Sequence, residues 1–141
     1  MSDVIQTDNA PKAVGSYPHA RRAGNLLFLS GIGPRSAEDN HIPGNRYDAD
    51  GRLLHYDIEA QCHSVFANVK QVLAASGAEF GDLIDVTVYL TDMARDFAIY
   101  NRIWASYFPD PAMAPCRTTL GITALPTPIA IELKCIAMLR E

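Results

Sequence analysis

The sequence predicts an α+β domain, a mixed β-sheet with two helices packed on one face. Residues 58–73 and 97–108 carry apolar side chains at helical spacing, whereas 83–90 and 129–139 alternate at period 2. The runs interleave as β-β-(β)-α-β-α-β-β, without an internal repeat, and 141 residues suit a single domain spanning 1–141.

Residues 1–14 are polar and read as a loose lead-in. Ala20–Ala23 and Leu26–Ser30 read as two strands joined at Gly24-Asn25, a hairpin-type turn. Gly31 to His55 is a long polar stretch broken by Pro34, Pro43, Gly44 and Asp50-Gly51. A loop of that length is functional or holds a hairpin of its own, for which Asp50-Gly51 and Arg52-Leu53-Leu54 suffice. Asp57 caps the first helix, with Ile58, Cys62, Val65, Phe66, Val69, Val72 and Leu73 on its apolar face and Gly77 as its stop. Leu83–Leu90 is a strand. Asp92 caps the second helix, whose apolar face is Phe97, Tyr100, Ile103, Trp104, Tyr107 and Phe108, and Pro109 and Pro111 end it. Strands near 117–122 and 129–139 complete the chain. Helices on one side leave the other face of the sheet apolar, so a second subunit is expected to cover it.

In the last strand Ile129, Ile131, Leu133, Cys135, Ala137 and Leu139 share one face, and Ala130, Glu132, Lys134, Ile136 and Met138 share the other. A carboxylate on so apolar a face needs a cation or hydrogen-bond donors. Arg117, in the preceding strand, is the candidate. The pair is either a structural ion pair between neighbouring strands or the core of a site.

With 48% hydrophobic and 20% charged residues the composition is that of a globular protein, and a net charge of −4 argues against a nucleic-acid partner. Cys62, Cys116 and Cys135 are odd in number and lack CxxC spacing, and His19, His41, His55 and His63 form no HExxH. Neither disulfides nor a metal are expected. There is no P-loop, and Gly31-Ile32-Gly33-Pro34 is too weak for a dinucleotide fingerprint, so no cofactor is expected either. With no apolar run of membrane-spanning length and no signal-like N-terminus, no membrane contact and a cytoplasmic location are expected.

Many short matches occur in order along the chain. They include Gly15-Ser16-Tyr17, Leu29-Ser30-Gly31, Asp57-Ile58-Glu59-Ala60-Gln61, Asn68 and Ser76-Gly77. Val86 to Met93, Asp96-Phe97 with Asn101, Pro115-Cys116-Arg117, Leu125-Pro126 and Ile131-Glu132-Leu133 continue them. Together they make the chain resemble the RidA (YjgF-like) enamine/imine deaminases over nearly its whole length. The resemblance implies a chorismate-mutase-like fold and a homotrimer with sites in the clefts between subunits. Pairing of trimers into hexamers is left open. Within the family, Gly15-Ser16-Tyr17-Pro18-His19, Arg22-Ala23-Gly24 and the long segment 34–56 look most like the 2-aminomuconate deaminases.

On this resemblance Arg117 binds the substrate carboxylate through its planar fork. Glu132 positions and activates water, moving protons as a catalytic acid–base group. Tyr17, Ser30, Asn101 and Thr118 line the substrate cleft. Tyr17 is alternatively a core aromatic, Ser30 a strand end and Asn101 a helix–loop contact. His19 stands where most relatives have Gln; it is a third catalytic candidate, as a proton shuttle, or a structural histidine. Arg22, Arg35 and Arg46 are candidates for a second carboxylate. Thr119 occupies a position where many relatives carry cysteine, and the nearby thiol is Cys116 instead.

The implied reaction is hydrolytic deamination of 2-aminomuconate to 4-oxalocrotonate (2-oxo-3-hexenedioate) plus ammonia. The alternatives are general deamination of 2-iminobutanoate and 2-iminopropanoate, and a non-catalytic ligand-binding or chaperone-like trimer.

Overall fold

The structure is a computed structural model that describes residues 3–140. Strands β1 (Val4–Ile5), β2 (Ala20–Ala23), β3 (Leu26–Leu29), β4 (Arg46–Tyr47) and β5 (Leu53–His55) precede helix α1 (Ile58–Ala75). Strand β6 (Leu83–Leu90), helix α2 (Met93–Tyr107), β7 (Cys116–Gly121) and β8 (Ile131–Met138) follow. The main sheet has the order β1-β2-β3-β8-β6-β7, and β4 and β5 form a separate hairpin. Strand β7 runs parallel to β6, to which α2 links it, and the other neighbours are antiparallel. The sheet is therefore mixed, as expected.

Helix α1 starts where Asp57 accepts a hydrogen bond from Ala60 N at 3.1 Å. It ends in a Schellman-type turn: Gly77 takes φ +77°, and Ala78 N donates to Leu73 O at 2.8 Å. Both helices pack on the face made by Leu27 and Leu29 of β3, Val86, Val88 and Leu90 of β6, and Ile131, Leu133, Cys135 and Ala137 of β8. Those side chains are buried because strand alternation sends every second residue to the helices. The opposite face carries Phe28, Thr87, Tyr89, Glu132, Lys134, Ile136 and Met138, with Phe28 37% and Met138 44% exposed. Among the described residues, no helix or further strand packs on it.

Three expectations need correction. Part of the lead-in is structured: β1 pairs with β2, and Arg22 N donates to Asp3 O at 2.7 Å. A two-residue strand is too short to show any period. Phe97, placed on the apolar face of α2, is 37% exposed, while Asp96 beside it is fully buried and accepts a 2.6 Å hydrogen bond from the Tyr56 hydroxyl. A buried acid looks polar in the sequence; the Tyr56 hydroxyl supplied by the loop and Arg95, whose Nε lies 3.5 Å from Oδ1, make its burial tolerable. Finally, β7 and β8 are not neighbours, because β6 lies between them. The expected hairpin around Asp50-Gly51 is present, with Gly51 at φ +82° and Gly51 N bonded to Asp48 O at 3.1 Å.

Candidate active site

Glu132 lies on the open face of β8, half-buried, opposite Tyr89 of β6. Its carboxylate rests over Gly31: a Cβ built there would lie 2.9 Å from Oε2 and 3.0 Å from Cδ. Only a residue without a side chain permits this approach. The Gly31 segment is held beside β8 because Ile32 and Leu133 exchange backbone hydrogen bonds of 2.9 Å in both directions. Burial pushes the Glu132 carboxyl above its ordinary range, and it has no ion-pair partner among the described residues. Tyr17, Arg35, Gly33, Pro126 and Thr127 line the cleft with it.

An adjoining pocket behind Gly31–Gly33 is lined by Tyr17, His19, Ser30 and Arg35. Both nitrogens of His19 meet the N-terminal segment: Thr7 N donates to Nδ1 at 3.3 Å, and Nε2 lies 2.7 Å from Pro11 O. Those contacts fit the neutral ring with its proton on Nε2, a clip for residues 7–11. Ser30 Oγ donates to Pro18 O at 2.7 Å, and the Tyr17 hydroxyl accepts from Val14 N at 3.2 Å.

The loops reaching this cleft are tied to α1 by a polar ladder. Asn68 Nδ2 donates to the carbonyls of Gly33 and Arg35 at 2.9 and 2.8 Å, and Ser64 Oγ donates to Pro34 O at 2.7 Å. Gln61, fully buried, accepts from Ala130 N at 2.8 Å and donates to Asn45 Oδ1 at 3.0 Å. In the sequence Gln61 and Asn68 stand out only as family matches, and Ser64 does not stand out at all. Their spacing of i, i+3 and i+7 marks one helix face, and that polar stripe beside the apolar one was the available signal.

Arg117 is elsewhere. In the β6–β7 register it pairs with Val86, which faces the helices, so its guanidinium points to the helix side. There Cζ lies 5.2 Å from the Tyr100 ring centroid and 5.1 Å from that of Trp104. Thr118 points the other way and is exposed, as is Asn101 on α2. The structure thus brings Glu132, Tyr17, His19, Ser30 and Arg35 into one region, and does not bring Arg117, Asn101 or Thr118 to it within one chain. Of the other cations, Arg22 Nε donates to Gly24 O at 2.8 Å, and Arg46 is exposed on the hairpin.

The described residues thus hold a half-buried acid with raised proton affinity on one side of the sheet and, on the other, a guanidinium without a carboxylate partner among them. Residues 7–139 match the family described as Endoribonuclease L-PSP. The chain belongs to that family, the RidA/YjgF proteins. It is 31% identical over 141 residues to the 2-iminobutanoate/2-iminopropanoate deaminase of Escherichia coli, covering 99% of this chain and 100% of that one. It is 38% identical to the chloroplastic Reactive Intermediate Deaminase A of Arabidopsis thaliana, over 97% of this chain and 66% of the relative. The crystal structure of E. coli TdcF with bound serine superposes with a TM-score of 0.83 at 28% identity, covering 99% of this chain and 100% of that one. Among the described residues, no helix is long and apolar enough to cross a membrane.

Proposed function

We propose that the protein hydrolyses reactive enamines and imines derived from amino acids, with small 2-imino acids such as 2-iminobutanoate and 2-iminopropanoate as its first substrates. The observation that carries this reading is Glu132: a carboxyl of raised proton affinity, unpaired among the described residues, over Gly31 in a cleft. The enamine carbon takes a proton and becomes an iminium. Water then adds at C2 while the Glu132 carboxylate accepts its proton. The resulting carbinolamine expels ammonia and leaves the 2-oxo acid. Such acid–base assistance is worth about 10²–10⁴ in rate, enough for a reaction that already proceeds in water. The carboxylate of the substrate is assigned to Arg117, and serine bound to the TdcF relative is a ligand of the same amino-acid class.

Because Arg117 and Glu132 face opposite sides of the sheet, this assignment needs two copies of the chain. A homotrimer whose subunits cover each other's open faces joins the Arg117 side of one copy to the Glu132 cleft of the next. Alone, Arg117→Ala is then crippled through a much higher KM and Glu132→Gln through lost turnover. Co-assembled in equal amounts, they regain about a quarter of the wild-type sites, since each site draws on two subunits. Absence of any recovery would remove the shared site.

A second reading, a dicarboxylic enamine such as 2-aminomuconate, has one specific observation in its favour. Arg35 brings a second guanidinium to the Glu132 cleft. Ammonia release from generated 2-aminomuconate, measured beside release from 2-iminobutanoate, decides between the two.

A further inference from the structure

The surroundings of Arg117 carry an inference that rests on its reading as the carboxylate anchor. Tyr100 and Trp104 are one helical turn apart on α2 and present their rings to the same guanidinium, both within cation–π range. The rings meet edge-on, 6.4 Å apart at 62°, and neither is free to turn: Tyr100 is fully buried and Trp104 is 8% exposed. Thr119 lies two residues beyond Arg117 on the same face of β7, and its Oγ1 is 3.1 Å from the Tyr100 hydroxyl. The buried phenol thus has its polar partner on the very strand that carries the arginine.

We propose that Tyr100, Trp104 and Thr119 are positioning residues that hold the Arg117 guanidinium in a fixed orientation, so that an incoming carboxylate meets a preformed fork. Aromatic rings satisfy a guanidinium without using its carboxylate-binding edge, which a protein carboxylate would occupy. Fixing the side chain before the ligand arrives removes an ordering cost from binding. The Thr119 hydroxyl sets the Tyr100 ring, which gives this position a role of its own.

The test uses the full chain, with 2-iminobutanoate generated in situ for turnover and calorimetric binding of 2-oxobutanoate as a readout independent of chemistry. Loss of a cation–π contact in Trp104→Leu is expected to raise both KM and the 2-oxobutanoate Kd about tenfold, with kcat held within about twofold. Trp104→Phe, which keeps a ring, restores most of the loss. Thr119→Val raises KM and Kd by about threefold and Tyr100→Phe, whose hydroxyl also interacts with Arg117, by at least as much; the double variant matches Tyr100→Phe, because both changes remove the Tyr100–Thr119 hydrogen bond. Should Trp104→Leu fail to fold, that two-residue cycle decides alone. Arg117→Ala separates the two ways of failing. If it leaves KM and Kd unchanged, the carboxylate assignment is lost and the cradle with it. If it raises both while Tyr100→Phe, Thr119→Val and any folded Trp104→Leu match wild type, the cradle alone is overturned.

Discussion

Arg117 and Glu132 lie on opposite faces of one sheet, two strands apart, with β6 between them. Arg117 is in register with Val86, and Glu132 with Tyr89, three residues further along β6. Strand spacing and rise put their backbones roughly 10 Å apart in each direction within the sheet. No rotamer closes that gap through the sheet. The ion pair that their nearness in sequence suggested does not form within the chain, and neither side chain has an ion-pair partner among the described residues.

Glu132 has its proton affinity raised by burial, which favours its neutral form in the folded protein. The stability linked to it is present below the ordinary carboxylate range, near pH 4.3, and is lost as pH rises through the raised value in the folded protein. Glu132→Gln is therefore expected to melt slightly higher than wild type at pH 8 and to converge with it at pH 4. Turnover moves the other way. It needs the carboxylate form as base, so kcat falls as pH drops through that same raised value. Thermal melts and kcat profiles on one buffer series check both limbs, and a melting difference independent of pH would defeat the linkage.

Gly31→Ala isolates the geometry of that carboxylate. The new methyl group would meet Oε2 at 2.9 Å, a contact with the end of a flexible side chain rather than with backbone. The fold can yield by swinging Glu132 aside, so the melting temperature should move little while kcat drops about tenfold or more, as expected for a displaced acid–base group. A folded Gly31→Ala enzyme with wild-type kcat would show that the Glu132 position is unimportant.

Period-2 alternation in 129–139 fixed the face of Glu132 correctly, and capping signals at Asp57 and Asp92 located both helices. Alternation gives the phase of a strand but not its neighbours. Nothing in Cys116 to Gly121 says that this strand runs parallel to β6 at the sheet edge rather than beside β8, so the faces of Arg117 and Glu132 could not be related in advance. His19 was legible only as a histidine in the right place. Its backbone contacts with Thr7 and Pro11 depend on a segment with no sequence period at all.

Gln61 tests the ladder on α1. It is fully buried, and it alone among the described contacts satisfies the buried Ala130 N–H while also holding Asn45 at the base of the hairpin. Gln61→Leu leaves those groups without partners and is expected to cost about 2–3 kcal/mol. Urea unfolding should show a lower midpoint with an unchanged slope. Asn45→Ala removes the far end of that bond together with the Nδ2 bonds to Pro128 O and the Tyr47 hydroxyl, and should cost about 1 kcal/mol because these lie toward the exposed hairpin. A loss of only about 0.5 kcal/mol in Gln61→Leu would mean that the Ala130 contact contributes nothing.

Arg35 offers the sharpest test of substrate class. Its backbone carbonyl is held by Asn68, and its guanidinium donates to Asn40 Oδ1 at 2.8 Å and Lys12 O at 2.7 Å. Its remaining N–H groups are available to a ligand, and it lines the cleft together with Glu132. If a second carboxylate binds there, Arg35→Gln removes a charged hydrogen bond worth about 1.5–3 kcal/mol, or about 10–150-fold in kcat/KM, for dicarboxylic substrates. Monocarboxylic imines should stay within about twofold, because they present nothing to that end of the cleft. A parallel fall for 2-aminomuconate and 2-iminobutanoate would instead make Arg35 a clip between Lys12 and Asn40. The small 2-imino acids would then be the substrates that the cleft fits.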